Sequence, residues 1–208
     1  SYTGTVEISA AHEDGKGDYS AEVGALAAAG GDALVVLGYV DQGGRGVIQA
    51  ALDTGAFDTF ALGDGMFGES LLEAIGSDLD GSTVGTVPGS EGQGAGMFLE
   101  AMGSAGKDGD GPYRAESYDA AALITLAMQA GGDATKEAVA ANVLAVANAP
   151  GEKIYPGELA KALQILADGG EVDYEGATGV ELIGPGEAAG SYREYEVQDG
   201  AFETIKFR

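Results

Sequence analysis

The chain contains no cysteine. Disulfides and thiolate metal sites are therefore excluded, while the compartment stays open. No apolar run reaches the ~18 residues that a membrane-spanning helix needs, so no direct insertion is expected. Basic residues are scarce: 10 Lys and Arg stand against 34 Asp and Glu, for a formal charge of −24. A surface of that sign repels a nucleic-acid duplex and an anionic bilayer, so nucleic acid is not an expected partner. The opening residues, SYTGTVEIS, lack the basic start and apolar stretch of a signal peptide. Either a signal has been removed or the chain begins within a longer protein. One histidine and no G-x-S-x-G leave no frame for Ser/His/Asp catalysis. That residue, His12, lies in the polar stretch AHEDGKGD and reads as part of a surface loop.

The chain has 208 residues, of which 45% are hydrophobic. That suffices for a packed core in one large domain or two small ones. The first ninety or so residues alternate in character. TVEIS (5–9) is β-branched and predicts a strand. DYSAEVGALAAAG predicts a helix with Asp18 as N-cap, Tyr19, Val23, Leu26 and Ala27 on one face, and a stop at Gly30. ALVVLGYV (33–40) is a continuous apolar run, the pattern of a strand covered on both faces. A helix follows with Val47, Ile48, Ala51 and Leu52 inward, ending near Gly55. TFALG, ESLLEAIG and STVGTV predict strand, helix and strand. This alternation argues for right-handed βαβ units and a parallel sheet.

Near Pro88 the character changes. PGSEGQGAG is glycine-rich and reads as a hinge. Helical patterns then dominate: 93–105, 111–132, 134–147 and 158–168. The second places Pro112 at the first helical position and Gly131 at the stop, with Tyr113, Ser117, Ala120, Ile124 and Met128 along one side. SYREYEVQDGAFETIKF ends the chain as two alternating runs about Asp199-Gly200, the signal of a type I′ hairpin.

DTFALGDGMFGES contains Gly63-x-Gly65-x-x-Gly68, the spacing of a dinucleotide fingerprint. A phosphate there would meet the Asp64 carboxylate. Two like charges 4 Å apart cost about 1 kcal/mol even in bulk water. No Lys or Arg lies between Gly46 and Gly106 to offset it. A second reading is a turn whose glycines let strand pack into helix. A third is a carboxylate held at the carboxyl edge of a parallel sheet, where open α/β sheets bind ligands. Tyr39 occupies the equivalent edge of the preceding strand. A carboxylate beside an aromatic face suits an ammonium group.

DYSAEVGALAAAGGDALVVLGYVDQGGRGVIQAALDTG, FALGDGM, GPYRAESYDAAALITLAMQAGG, DYEGATG and the final hairpin together resemble, in order, the C-terminal portion of type I periplasmic solute-binding proteins. The branch is the leucine/isoleucine/valine-binding subunits of ABC importers. The resemblance implies a partial α/β fold, a parallel sheet flanked by helices with a mostly helical portion of the other lobe. It implies that residues 1–88 form the second lobe, that 89–190 return to the first, and that 191–208 cross back as a hairpin. It implies an exported, periplasmic, non-catalytic protein without cofactor, working with a membrane permease and holding a small amino acid between two lobes. Tyr39 and Asp64, with Gly38 and Gly65 beside them, match the positions that hold the ligand's ammonium. Asp64 stands where this branch commonly has Glu. The side chain is one methylene shorter, so the ligand would sit deeper or contact it through a water. The same module also serves as the sensor of signalling receptors. Tyr118-Asp119 reads as packing or hinge.

Overall fold

The computed structural model describes residues 4–184 and 186–208. In chain order the elements are α1 (Ser20–Ala29), β1 (Leu34–Val36), α2 (Gly44–Thr54), β2 (Phe60–Leu62), α3 (Glu69–Ile75) and β3 (Thr83–Pro88). Next come α4 (Gln93–Ser104), α5 (Arg114–Gly131), α6 (Lys136–Ala147), β4 (Glu152–Ile154), α7 (Leu159–Ala167) and β5 (Val172–Tyr174). Four strands close the chain: β6 (Leu182–Gly184), β7 (Glu187–Ala188), β8 (Tyr192–Gln198) and β9 (Ala201–Phe207). Two compact units result. One runs to Val87 and takes in Arg193–Lys206 and Arg208; the other is Pro88–Tyr192 with Phe207. Among the described residues no helix is long and apolar enough to cross a membrane.

The first unit is built on a sheet of order β1-β2-β3-β8-β9. β1 pairs with β2, and β2 with β3, in parallel. The Asp18 carboxylate accepts the Ser20 N–H at 2.9 Å and the Ser20 hydroxyl at 2.6 Å, holding the chain at the entrance to α1. Those bonds keep the Asp18 carboxyl below its ordinary pKa. Glycines at Gly30 (φ 87°) and Gly55 (φ 63°) end α1 and α2 in backbone that favours glycine. Val47, Ile48 and Ala51 of α2 and Leu71 and Leu72 of α3 pack on Val36, Phe60, Leu62 and Val87. Tyr195 and Val197 of β8 complete that core. Each fully buried large side chain contributes about 1.5–3 kcal/mol relative to an exposed one. At the β8–β9 turn Asp199 (φ 52°) and Gly200 (φ 71°) are both left-handed, as a type I′ turn requires.

Two expectations fail here. Residues 5–9 form no strand, and Val6 is 71% exposed. β propensity reflects packing on a pleated surface, and TVEIS enters no sheet. The run around β1 is not covered on both faces either. Val35, Ala61 and Val84 lie opposite one another across three strands, with Val35 61% and Val84 46% exposed. The reason is topological. Both crossovers step the same way along the sheet, and right-handed connections then place α2 and α3 on one face.

The second unit buries Leu126, Ala127, Val146, Ile154, Ala162, Val172 and Tyr174 in one cluster. β4 and β5 pair in parallel, β6 and β7 antiparallel; the sequence reading missed both small sheets. α5 begins at Arg114, not at Pro112, because Tyr113 is left-handed (φ 63°) immediately before it. The helix retains Gly131, and Gly132 (φ 65°) stops it. Its buried stripe is Asp119, Ala122, Leu123, Leu126 and Ala127, while Ile124 is 45% exposed. A carboxylate sits in that stripe. Asp119, 2% exposed, accepts hydrogen bonds from Tyr174 Oη (3.0 Å), Ala177 N (2.8 Å), Thr178 N (2.8 Å) and Thr178 Oγ1 (2.7 Å). It stitches the loop after β5 to α5. Burial, then the Asp119 charge, push the Tyr174 phenol far up, so it remains a donor.

Candidate functional site

β1 ends at Val36, and the chain passes through Gly38 and Tyr39 into a helical turn at Val40–Gln42. β2 ends at Leu62 and passes through Gly63 into the turn Asp64–Met66. The strands are parallel neighbours, so both turns leave the same carboxyl edge. The structure thus brings together all four residues expected from the sequence: Gly38, Tyr39, Asp64 and Gly65.

The two turns are in close contact. The Gly63 N–H donates to the Val36 carbonyl at 3.1 Å and prolongs the ladder by one step. A Cβ at Gly65 would lie 2.4 Å from the Gly38 carbonyl oxygen and 2.9 Å from Tyr39 Cδ1. No residue but glycine fits there without parting the turns. The Tyr39 carbonyl accepts N–H groups of Gln42 (3.2 Å) and Gly44 (3.0 Å), which curls the first turn into α2. Met66 is fully buried beneath, against the bare face of Gly44. Above this floor Tyr39 is 64% exposed and Asp64 is exposed. The site therefore offers solvent a carboxylate and a phenol ring on a rigid base. One Asp64 oxygen accepts the Gly65 N–H at 2.9 Å.

That geometry does not suit a pyrophosphate. The Gly65, Met66 and Phe67 N–H groups are taken up within the turn, by Asp64 Oδ1, the Gly63 carbonyl and the Asp64 carbonyl. Gly68 is extended (φ −174°), and a Cβ there would meet nothing nearer than 3.9 Å. Of the three fingerprint glycines, only Gly65 is required by space.

Aromatic groups support the turn from the β8 side. Phe67 stacks on Phe202 (4.3 Å) and meets Tyr195 edge-on (5.0 Å), and the Arg193 guanidinium lies 4.8 Å above the Phe67 ring. The Tyr195 hydroxyl is buried with no hydrogen-bond partner among the described residues. Burial, then the Asp64 charge, push that phenol upward.

His12, expected in a surface loop, is turned inward. Its side chain is 21% exposed and meets Tyr19 edge-to-face at 5.8 Å. Bare glycine backbone at Gly38 and Gly43 leaves room for the ring. Hydropathy gave no hint of this; the glycine spacing around residue 40 is the signal that could have. The second unit holds a separate pocket of about 280 Å³ between α5 and the β6–β7 segment, walled by Ala120, Leu123, Val180 and Leu182 with Glu116 at its margin. None of the four site residues lines it.

No family model matches the sequence. Over 94 residues, 45% of the chain, it is 37% identical to the chemotactic signal transduction system substrate-binding protein BasB of Halobacterium salinarum, a match spanning 23% of that protein. The leucine-binding protein LivK of Thermotoga maritima superposes with a TM-score of 0.67 at 20% identity, over 93% of this chain and 49% of its own. A type 1 periplasmic binding protein of Bordetella pertussis superposes with a TM-score of 0.61 at 19% identity, over 92% and 50%. The chain thus spans about half the length of each of these two structures.

Proposed function

From a chain that has the type I periplasmic binding fold over about half of that fold's length, we propose a non-catalytic solute-binding protein for branched-chain or related small amino acids. Residues 1–88 and 191–208 would form its second lobe, and 89–190 would belong to its first. The observation that carries the reading is the union of Tyr39 and Asp64 on two touching turns at one sheet edge. Asp64 accepts a charge-assisted hydrogen bond from the ligand's ammonium, and Tyr39 supplies the ring and hydroxyl beside it. Closure of two lobes over the ligand is then the output. The chemistry needs no cofactor.

The test is titration calorimetry of the intact gene product with leucine, isoleucine and valine. Asp64→Asn keeps the shape and removes the charge. It should weaken binding by about 1.5–4 kcal/mol, on the order of ten- to a thousandfold. Tyr39→Phe should cost about 0.5–1.5 kcal/mol. An Asp64→Asn protein that binds as tightly as its parent would remove Asp64 from the site.

Two outputs fit this module. A permease partner in an ABC importer is the first, supported by the fold shared with a leucine-binding protein. A signalling partner is the second, supported by the likeness to a chemotactic substrate-binding protein. A deletion strain separates them: loss of labelled leucine uptake marks the importer, and loss of movement toward leucine marks the sensor. Either output places the protein outside the cytoplasmic membrane.

A further inference from the structure

The loop before α1 is latched onto the turn that carries Tyr39. The Gly15 N–H donates to the Gln42 carbonyl at 3.3 Å. The Tyr19 hydroxyl donates to the Glu13 carbonyl (2.9 Å) and accepts the Lys16 N–H (3.0 Å), which closes the loop on itself. The Tyr19 ring then fills the space left by two glycines: a Cβ at Gly43 would lie 2.3 Å from its oxygen, and one at Gly46 2.7 Å from its ring. His12 fills what remains. A Cβ at Gly38 would lie 3.1 Å from His12 Nε2, and one at Gly43 3.3 Å from Nδ1. The imidazole is thus held between Tyr19 and the two glycines that flank Tyr39 and its turn. Nδ1 is buried and lacks a hydrogen-bond partner among the described residues, with Asp14 Oδ1 at 4.0 Å.

We propose that His12 is a positioning residue for the ligand site: its ring, backed by Tyr19, wedges the Gly38–Gly43 turn and sets where Tyr39 stands relative to Asp64. This rests on the reading of Tyr39 and Asp64 as ligand contacts. Without the ring, the Gly38 side of the turn loses its support. The Gly65 side keeps its own, so Tyr39 gains freedom that binding must then remove.

Two measurements test the wedge separately from the function. The chain has no tryptophan, so Tyr39→Trp places a single reporter on the turn. His12→Ala in that background should lower the tryptophan's fluorescence anisotropy without any ligand, and His12→Phe, which keeps a ring, should restore it. Unchanged anisotropy in His12→Ala overturns the proposal. The second measurement is leucine titration of the intact protein, well below the melting temperature of each variant. His12→Ala should weaken binding about tenfold and His12→Phe no more than about threefold, the pattern of lost pre-organisation. The imidazole proton signals of His12, assigned by their absence from the His12→Phe spectrum, should shift as leucine binds. Affinity unchanged in His12→Ala, or an unmoved imidazole signal, refutes the wedge. A parent that binds none of leucine, isoleucine and valine refutes the functional reading instead, and the anisotropy still decides the role of His12.

Discussion

Asp119→Asn is the substitution whose effect the structure specifies most fully. The carboxylate faces four donors, two on each oxygen. Asparagine has one oxygen and one NH2. If the NH2 takes the Oδ1 position, the Tyr174 hydroxyl can rotate to accept from it, but the Ala177 N–H is orphaned. If it takes the Oδ2 position, the Thr178 hydroxyl can rotate, but the Thr178 N–H is orphaned. Either way one buried backbone donor loses its partner, at about 1–3 kcal/mol. The two bonds left on oxygen lose their charge assistance, roughly another 1 kcal/mol each. Relief of a buried charge returns part of this. The net expectation is a loss of about 2–5 kcal/mol, a large share of the 5–15 kcal/mol typical of a whole domain. Asp119→Ala should cost more, since it leaves both amides unpaired and opens a cavity. Tyr174→Phe, which deletes one donor to the charged carboxylate, should cost about 1.5–3 kcal/mol. The assay is urea unfolding followed by circular dichroism, with hydrogen exchange read at the Ala177 and Thr178 amides. An Asn variant within about 0.5 kcal/mol of the parent, the range of ordinary surface changes, would refute the reasoning.

The fingerprint glycines should behave differently from one another. Gly65→Ala drives a methyl into the Gly38 carbonyl, so it should destabilise by about 1–3 kcal/mol and weaken leucine binding. Gly68→Ala, extended and with only ordinary van der Waals contacts at 3.9–4.0 Å for its Cβ, should melt within a degree or two of the parent; equal melting temperatures for the two would remove Gly65 as the spacer of the turns. The charge of −24 implies self-repulsion in the folded state. Raising salt from about 0.01 M to 1 M shortens the screening length from about 30 Å to 3 Å. The melting temperature should rise over that range, and a flat or falling curve would contradict the expectation.

The sequence made the parallel sheet legible because its evidence is local. Val47, Ile48 and Ala51 repeat at helical spacing, and glycines at 30 and 55 stand where the helices stop. Adjacency of β1 and β2 follows from chain order in βαβ units, and that alone placed Tyr39 and Asp64 at one edge. What escaped the reading depends on partners. TVEIS has the composition of a strand, yet it enters no sheet. ALVVLGYV reads as buried on both faces, but which faces are covered depends on the direction of the crossovers. The buried stripe of α5 was not read, because a hydrophobic count discards Asp119, the carboxylate that accepts four hydrogen bonds on that helix. His12 looked like solvent-exposed loop because the room it occupies is made by glycines some thirty residues away.

The sheet order has a consequence for biosynthesis. β3 is bordered by β8, although about a hundred residues separate them in the chain. Tyr195 and Val197 belong to the same buried cluster as Ile48 and Phe60, and the Gly81 N–H donates to the Val197 carbonyl at 2.9 Å. The Gly200 N–H reaches back to Asp80 Oδ1 at 3.0 Å. At about 5–20 residues per second, the ribosome needs roughly 5–20 s to deliver those partners after β3 has emerged. During that interval the β3 edge is unpaired and the core beneath Gly85 is unfilled. Pro88–Tyr192, almost continuous in sequence, is free to fold meanwhile. The nascent chain therefore carries an open strand edge for seconds, until β8 and β9 arrive to close it.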